Sequence, residues 1–243
     1  MKKIVMLAFI FLFVQAINAQ GDIRFGFQLS PAVSWLDTDH SKINSSGPNI
    51  GLKLGLNGEY YFRDNYAISS GIGFHFNAGG TLLHQYGGFY WTKTDLLGGL
   101  DTMSMSNNVK LKYSIQYVEI PIGLKMRTKE FGFFRYFLDP AITLGFKTQA
   151  RGVITDSGIT GEEDEKYDIR KEVNGINATW GLTGGAEYNL GENSTLIFGA
   201  GFQIGFTDLT DDNGTVFDPD KGNRDEDSKG LFRSIVLKMG VMF

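Results

Sequence analysis

The sequence predicts an all-β chain, an eight-stranded antiparallel up-and-down transmembrane β-barrel with long loops at one end and short turns at the other. Three observations carry that prediction. Apolar residues alternate with small or polar ones at period two along most of the chain, the repeat of a half-buried strand. The connections between the alternating stretches are short and long in turn, as in outer-membrane barrels. Aromatic residues gather at the stretch ends, where a membrane interface would lie.

Residues 1–19 read as a secretory leader. Lys2 and Lys3 give a basic start, Ile4 to Val14 an apolar run, and Ala19 a small residue before Gln20. The run is shorter than the ~20 residues of a membrane helix. Residues 20–243 are expected to form one barrel domain. Loss of two lysines leaves 21 basic residues against 27 acidic, a mature charge of −6.

The strands follow in order. Phe25, Phe27, Leu29, Val33 and Trp35 share a face, as do Ile50, Leu52, Leu54, Leu56, Tyr60 and Phe62. Tyr66, Ile68, Ile72, Phe74 and Phe76 form the third. The fourth runs from Val109 to Met126. Its apolar residues are odd-numbered up to Tyr117 and even-numbered from Val118, which predicts a β-bulge there, next to Pro121. Phe134 to Phe146, Ile176 to Tyr188, Leu196 to Phe206 and Leu231 to Phe243 complete the eight. The connections 63–65, 127–132 and 190–194 are short. Those over 37–48, 78–108, 148–173 and 208–229 are long.

Alternation alone does not separate a water-soluble barrel from one in lipid. The second face decides, because it carries glycine rather than lysine and glutamate. Glycine makes up 32 of 243 residues, about 13% against an average of about 7%. Small residues suit the crowded interior of a narrow barrel, so the apolar face points outward. Phe25, Tyr60, Phe62, Tyr66, Phe134, Tyr136, Tyr188 and Phe243 are expected in one aromatic girdle. Trp35, Phe76, Tyr113, Phe146 and Phe206 are expected in the other. The chain has no cysteine, which excludes disulfides, thiolate metal sites and a cysteine nucleophile. The net charge of −4 and the lack of a basic stretch argue against nucleic acid.

Tyr117-Val118-Glu119-Ile120-Pro121, followed by Gly123-Leu124-Lys125, resembles the Y-x-E-I-P-x-x-x-K stretch of the PorT-like outer-membrane β-barrel family of Bacteroidetes. The Asn18-Ala19-Gln20 junction is similar to leader ends in that phylum. Val241-Met242-Phe243 resembles the terminal aromatic signal read by barrel-insertion machinery, so Phe243 is the expected insertion signal. The resemblance implies a Gram-negative outer membrane, both termini in the periplasm, and membrane lipid and the insertion machinery as partners. The family's founding member serves type IX secretion, which implies an envelope protein as a further partner.

Nine ionisable residues fall on the predicted inner face: Lys53, Glu59, Glu119, Lys125, Arg135, Asp139, Lys147, Glu187 and Lys238. Buried charges must pair. An eight-strand barrel has an interior that side chains fill. The charges therefore form either a structural network or a gated path or ligand pocket. Glu119 and Lys125 stand about 20 Å apart along their strand, too far to pair. Lys53, Arg135 or Lys147 are the expected partners of Glu119, and Glu59, Asp139 or Glu187 those of Lys125.

The loops carry further candidates. Tyr86, Phe89, Tyr90 and Trp91 could grip a partner or form a hairpin above the membrane. Asp208, Asp211, Asp212, Asp218 and Asp220 offer oxygens of the kind calcium takes, although their spacing is not that of an EF-hand. A solvated acidic loop accounts for them better, as it does for Gly161-Glu162-Glu163-Asp164-Glu165. His75 lies on the inner face, and His40 and His84 in loops. No convergent catalytic set and no cofactor motif is present. The expected function is a non-enzymatic structural or interaction role, including one accessory to protein secretion or envelope assembly. The alternatives are a small-molecule transport or binding barrel and a surface hydrolase or acyltransferase.

Overall fold

The computed structural model describes residues 22–96, 104–158, 165–191, 194–211 and 213–243. The leader, Asp212 and most of the 161–165 acidic run lie outside the described residues. Eight long strands close a ring in chain order. They are β1 (Asp22–Thr38), β2 (Ile43–Arg63), β3 (Tyr66–His84), β5 (Val109–Arg127), β6 (Phe134–Thr155), β8 (Ile176–Asn189), β9 (Thr195–Asp208) and β12 (Gly230–Met242). Every pairing is antiparallel, and β1 against β12 closes the barrel. Four short strands lie at the long-loop end: β4 (Gly88–Phe89), β7 (Tyr167–Asp168), β10 (Thr215–Asp218) and β11 (Gly222–Asp225). Among the described residues no helix is long and apolar enough to cross a membrane.

The outward face is a band of exposed apolar side chains, including Phe27, Leu54, Ile72, Leu124, Ile142, Phe202 and Leu237. Water would oppose such a continuous surface, whereas a bilayer accepts it. The inward face is tight. Gly55 faces Gly73 across β2 and β3, and a Cβ on Gly55 would stand 2.9 Å from the Gly73 Cα. Phe25, Phe62, Tyr66, Phe134, Tyr136 and Phe243 are exposed near the short turns, and Phe76, Phe146 and Phe206 toward the other end. Tyr113 is not in that second girdle. It is buried inside the barrel.

The strands are longer than a bilayer needs. β2 has 21 residues, about 70 Å at ~3.3 Å per residue, whereas ~9–11 tilted residues cross the hydrocarbon. The surplus rises at the long-loop end, and it explains the change of phase in β5. The strand alternates without interruption, and Val109, Leu111, Tyr113, Ile115 and Tyr117 point inward, as Glu119 and Lys125 do. What changes is the medium on each side. Below Tyr117 the interior holds charges and the exterior is apolar. Above it the interior is an apolar core, and Lys110, Lys112, Ser114 and Gln116 face outward. The expected bulge in β5 is therefore absent. The pairing irregularities at this level fall on its neighbours. Thr148 of β6 is the extra residue between the Gln116–Gln149 and Tyr117–Lys147 pairs. In β3, Phe76 and Asn77 span one residue of β5, with Asn77 at a φ of 58°.

Candidate functional site

The barrel interior has a charged lumen at and below mid-height and an apolar cap above it. Period two points Lys53 and Glu59 of β2 inward, with Glu119, Lys125 and Arg127 of β5, Asp139 of β6, Glu187 of β8 and Lys238 of β12. Closure of the ring then brings opposite charges together.

Nearest the short turns, Lys125 is fully buried between two carboxylates. Its Nζ lies 2.6 Å from Glu59 Oε1 and also pairs with Glu187. Tyr61 donates its hydroxyl to Glu59 Oε2 at 2.7 Å. The Lys125 ammonium also stands 4.7 Å from the Phe137 ring centroid, within cation–π range. At mid-height, Lys53 Nζ bonds Glu119 at 2.7 and 3.0 Å and Gln203 Oε1 at 2.7 Å. His75 Nδ1 lies 3.1 Å from Glu119 Oε1. Asp139 takes Lys238 at 3.3 Å and the Ser69 hydroxyl at 2.8 Å. Three lysines and Arg127, 3.8 Å from Glu187, balance the four carboxylates, so the lumen is neutral with His75 uncharged. A polar cavity of about 100 Å³ remains between these groups, lined in part by Gln28, Asn57, Thr143 and Gln203.

Two expected members lie elsewhere. Arg135 sits opposite Glu187 in the register but binds Glu130 in the adjacent turn at 2.8 Å. That position beyond the end of the lumen lets its long side chain reach solvent. Lys147 lies just beneath the extra residue of β6, where its ammonium meets the carbonyls of Arg170 and Val173. Sequence reasoning missed Arg127 and Gln203. Arg127 shares the parity of Glu119 and Lys125, which is the signal that would have found it.

The cap is a continuous apolar core. Leu36, Leu82, Leu111, Ile115, Ile154, Ile169, Leu209 and Phe232 pack there with Tyr90, Trp91 and Leu96 from the connection between β3 and β5. The Trp91 indole donates to the Tyr113 hydroxyl at 3.0 Å, and its ring lies against Gly152, where a Cβ would stand 2.3 Å away. The aromatic cluster is thus not an exposed gripping surface. Tyr90 and Trp91 are buried, Tyr86 packs on the same core, and Phe89 stacks edge-on against Phe217 at 5.5 Å. Nor does it form a hairpin extending β3 and β5. β4 pairs with β10, which pairs with β11, in a small sheet across the mouth. The reason is hydrophobic: Tyr90 and Trp91 inside the mouth, with Tyr86 and Phe89 packed at its edge, remove more apolar surface from water than four rings above it.

The loop carboxylates serve turns and ion pairs. Asp208 accepts from the Thr210 and Gly230 amides at 3.1 and 2.9 Å. Asp218 accepts from the Asp220 and Lys221 amides at 3.0 and 3.3 Å, Asp220 itself is a turn residue, and Asp211 pairs with Lys93. Among the described residues no group of three His, Asp or Glu side chains could hold a metal. Burial pushes the carboxyls of Glu172, Asp208 and Glu226 above the usual range. His84 is buried against Tyr90 with neither ring nitrogen bonded, and burial pulls it down to about 3. His40 meets Arg224 at 2.7 Å.

Residues 15–211 match the family described as outer membrane protein beta-barrel domain. The chain belongs to that family. This membership accounts for the outward apolar band and puts the barrel in an outer membrane. No curated protein is detectably similar in sequence. Among solved structures the chain is similar to neisserial surface protein A, at 13% identity over 90% of this chain and 95% of that one, with a TM-score of 0.42. The outer membrane protein OprG from Pseudomonas aeruginosa is 12% identical over 92% and 97%, with a TM-score of 0.44. A major outer membrane protein from Thermus thermophilus is 14% identical over 91% and 99%, with a TM-score of 0.45.

Proposed function

We propose that this chain is a non-conducting, non-enzymatic outer-membrane barrel that acts through contacts with another envelope protein, made by the outer surface of its cap. The observation that carries this reading is the plug, an apolar core filling the mouth and sealed by Tyr90 and Trp91. Beneath it lies a neutral network of paired charges. A solute would have to displace both. In this reading residues 20–243 form one domain, the short turns and both termini face the periplasm, and Phe243 serves insertion. The Glu-Ile-Pro stretch supports a PorT-like role accessory to secretion or envelope assembly through its resemblance to that family; its Glu119 anchors Lys53 and His75 in the lumen.

A small-solute binding barrel is the second reading, favoured by the polar cavity. At about 100 Å³, against the ~300–1,000 Å³ of ligand pockets, that cavity suits ordered waters better than a metabolite. Planar-bilayer recording tests the main reading. The purified barrel should show no steady conductance, and crosslinking on intact cells should join cap residues to one envelope protein. Open channels, or crosslinks confined to lipid, would overturn it.

A further inference from the structure

A cleft lies among the short turns at the end of the barrel opposite the cap. A vestibule of about 610 Å³ lies between the turn joining β2 to β3 and the turn joining β5 to β6. Five cations line it: Arg24, Arg63, Arg127, Lys129 and Arg135. Only two carboxylates do so, Asp64 and Glu130. Glu130 is committed to Arg135 at 2.8 Å and to the Asn189 amide at 2.9 Å. Arg24 leans on Asp22 at 3.2 Å. Among the described residues Arg63 and Lys129 make no ion pair with a side chain.

Arg127 is built in rather than free. Its side chain is 6% exposed, and its guanidinium lies 3.7 Å from the Tyr61 ring centroid, with Arg24 at 5.4 Å from the same ring. Its Nε donates to the Asp64 carbonyl at 2.8 Å. One terminal nitrogen, Nη1, is buried without a hydrogen-bond partner and is turned toward Glu187 Oε2. The nearest carboxylate, Glu187, stands 3.8 Å away because Lys125 holds it. Like charges gathered in this way repel, and a buried unpaired donor costs free energy. The repulsion falls when an anion enters. Guanidinium forks held by stacking are matched to planar and tetrahedral oxyanions.

We propose that this vestibule binds a phosphate group. Arg24, Arg135 and Arg127 are paired with Asp22, Glu130 and Glu187, which leaves Arg63 and Lys129 against Asp64 and one positive charge in surplus, and a phosphate monoester or inorganic phosphate brings about −1.5 to −2. A carboxylate offers two oxygens in one plane, whereas a tetrahedral phosphate offers oxygens to cations that line the cleft from several segments of the chain. The phosphate can come from solution or from a lipid headgroup, since the aromatic girdle at Phe62 and Tyr66 runs beside the same turn.

Calorimetric titration of the full chain in a non-ionic detergent tests the site. Inorganic phosphate should bind at least tenfold more tightly than acetate at matched ionic strength. The double variant Arg63→Gln, Lys129→Gln should weaken phosphate at least fivefold, while its folded form keeps its shifted mobility on unheated gels. Lys112→Gln, on the outer wall at the opposite end, should leave binding unchanged. Dihexanoyl phosphatidic acid binding more tightly than inorganic phosphate supports the site and assigns a lipid source. Equal affinity supports it with phosphate drawn from solution. Phosphate no tighter than acetate, or a double variant that binds like the parent chain, overturns the proposal.

Discussion

Replacing Lys125 with methionine probes the charged lumen at its most buried point. Methionine keeps most of the apolar length of the side chain but removes the ammonium and with it the cation–π contact on Phe137. Glu59 and Glu187 then face each other without their common counter-ion. At the 2.6 Å separation from Glu59, the direct attraction is about 6 kcal/mol at an effective dielectric of ~20. Part of that attraction only offsets the desolvation of the two ions. Removing one partner of a buried pair costs about 3–5 kcal/mol, and here two carboxylates lose one cation, so the upper part of that range applies. Urea unfolding of the refolded barrel in detergent micelles, followed by tryptophan fluorescence and by gel mobility, measures the loss. The second variant decides the cause. Lys125→Met with Glu59→Gln removes a negative charge as well and should recover about half of the loss. A Lys125→Met cost below about 1 kcal/mol would refute the reasoning. So would a double variant no more stable than the single one, because the two carboxylates would then not depend on the lysine.

Three further outcomes are expected. Gly152→Ala should destabilise the cap by about 1–3 kcal/mol, since the new Cβ would stand 2.3 Å from Trp91 Cη2 and overpacking costs that much; faster chymotrypsin cleavage after Trp91, with an intact barrel, would show it. Replacing residues 210–228 with a short Gly-Ser turn should leave insertion intact, because loop closure depends weakly on length, but should remove Val216 from the core and Phe217 from Phe89; single-channel recording should then detect openings absent from the parent chain. His84 contributes stability that is complete above its unfolded pKa of about 6.5 and is lost as pH falls toward about 3. The raised carboxyls of Glu172, Asp208 and Glu226 act in the opposite sense, because their folded forms hold protons more tightly. The difference between the parent chain and His84→Phe isolates the histidine. Between pH 7 and 5 the parent should lose cap stability relative to the variant, as read by protease resistance, and parallel pH profiles would rule this out.

The sequence by itself determined the barrel. Period-two alternation fixes which side chains leave each strand on the same side, and Gly55, Gly73 and their neighbours mark the crowded side as the interior. Strand number, closure order and the inward direction of Lys53, Glu59, Glu119, Lys125, Asp139, Glu187 and Lys238 follow from local geometry alone. The partners of each charge required the ring. Lys125 meets Glu59 and Glu187 from two strands far away in sequence, whereas Arg135, one strand pair from Glu187, escapes into its own turn. Alternation is likewise blind to where lipid ends. In β5 one unbroken pattern passes from a charged interior with an apolar exterior to the reverse, and read along one strand this resembles a bulge. The cap was the least legible part. Phe89, Tyr90 and Trp91 stand among glycines and polar residues, and nothing local shows whether they face water or fill a mouth. That choice belongs to the tertiary structure, because strands that overshoot the bilayer leave an apolar cup whose walls come from β1, β2, β3, β5, β6 and β12, and only side chains from a distant loop can take its surface out of water.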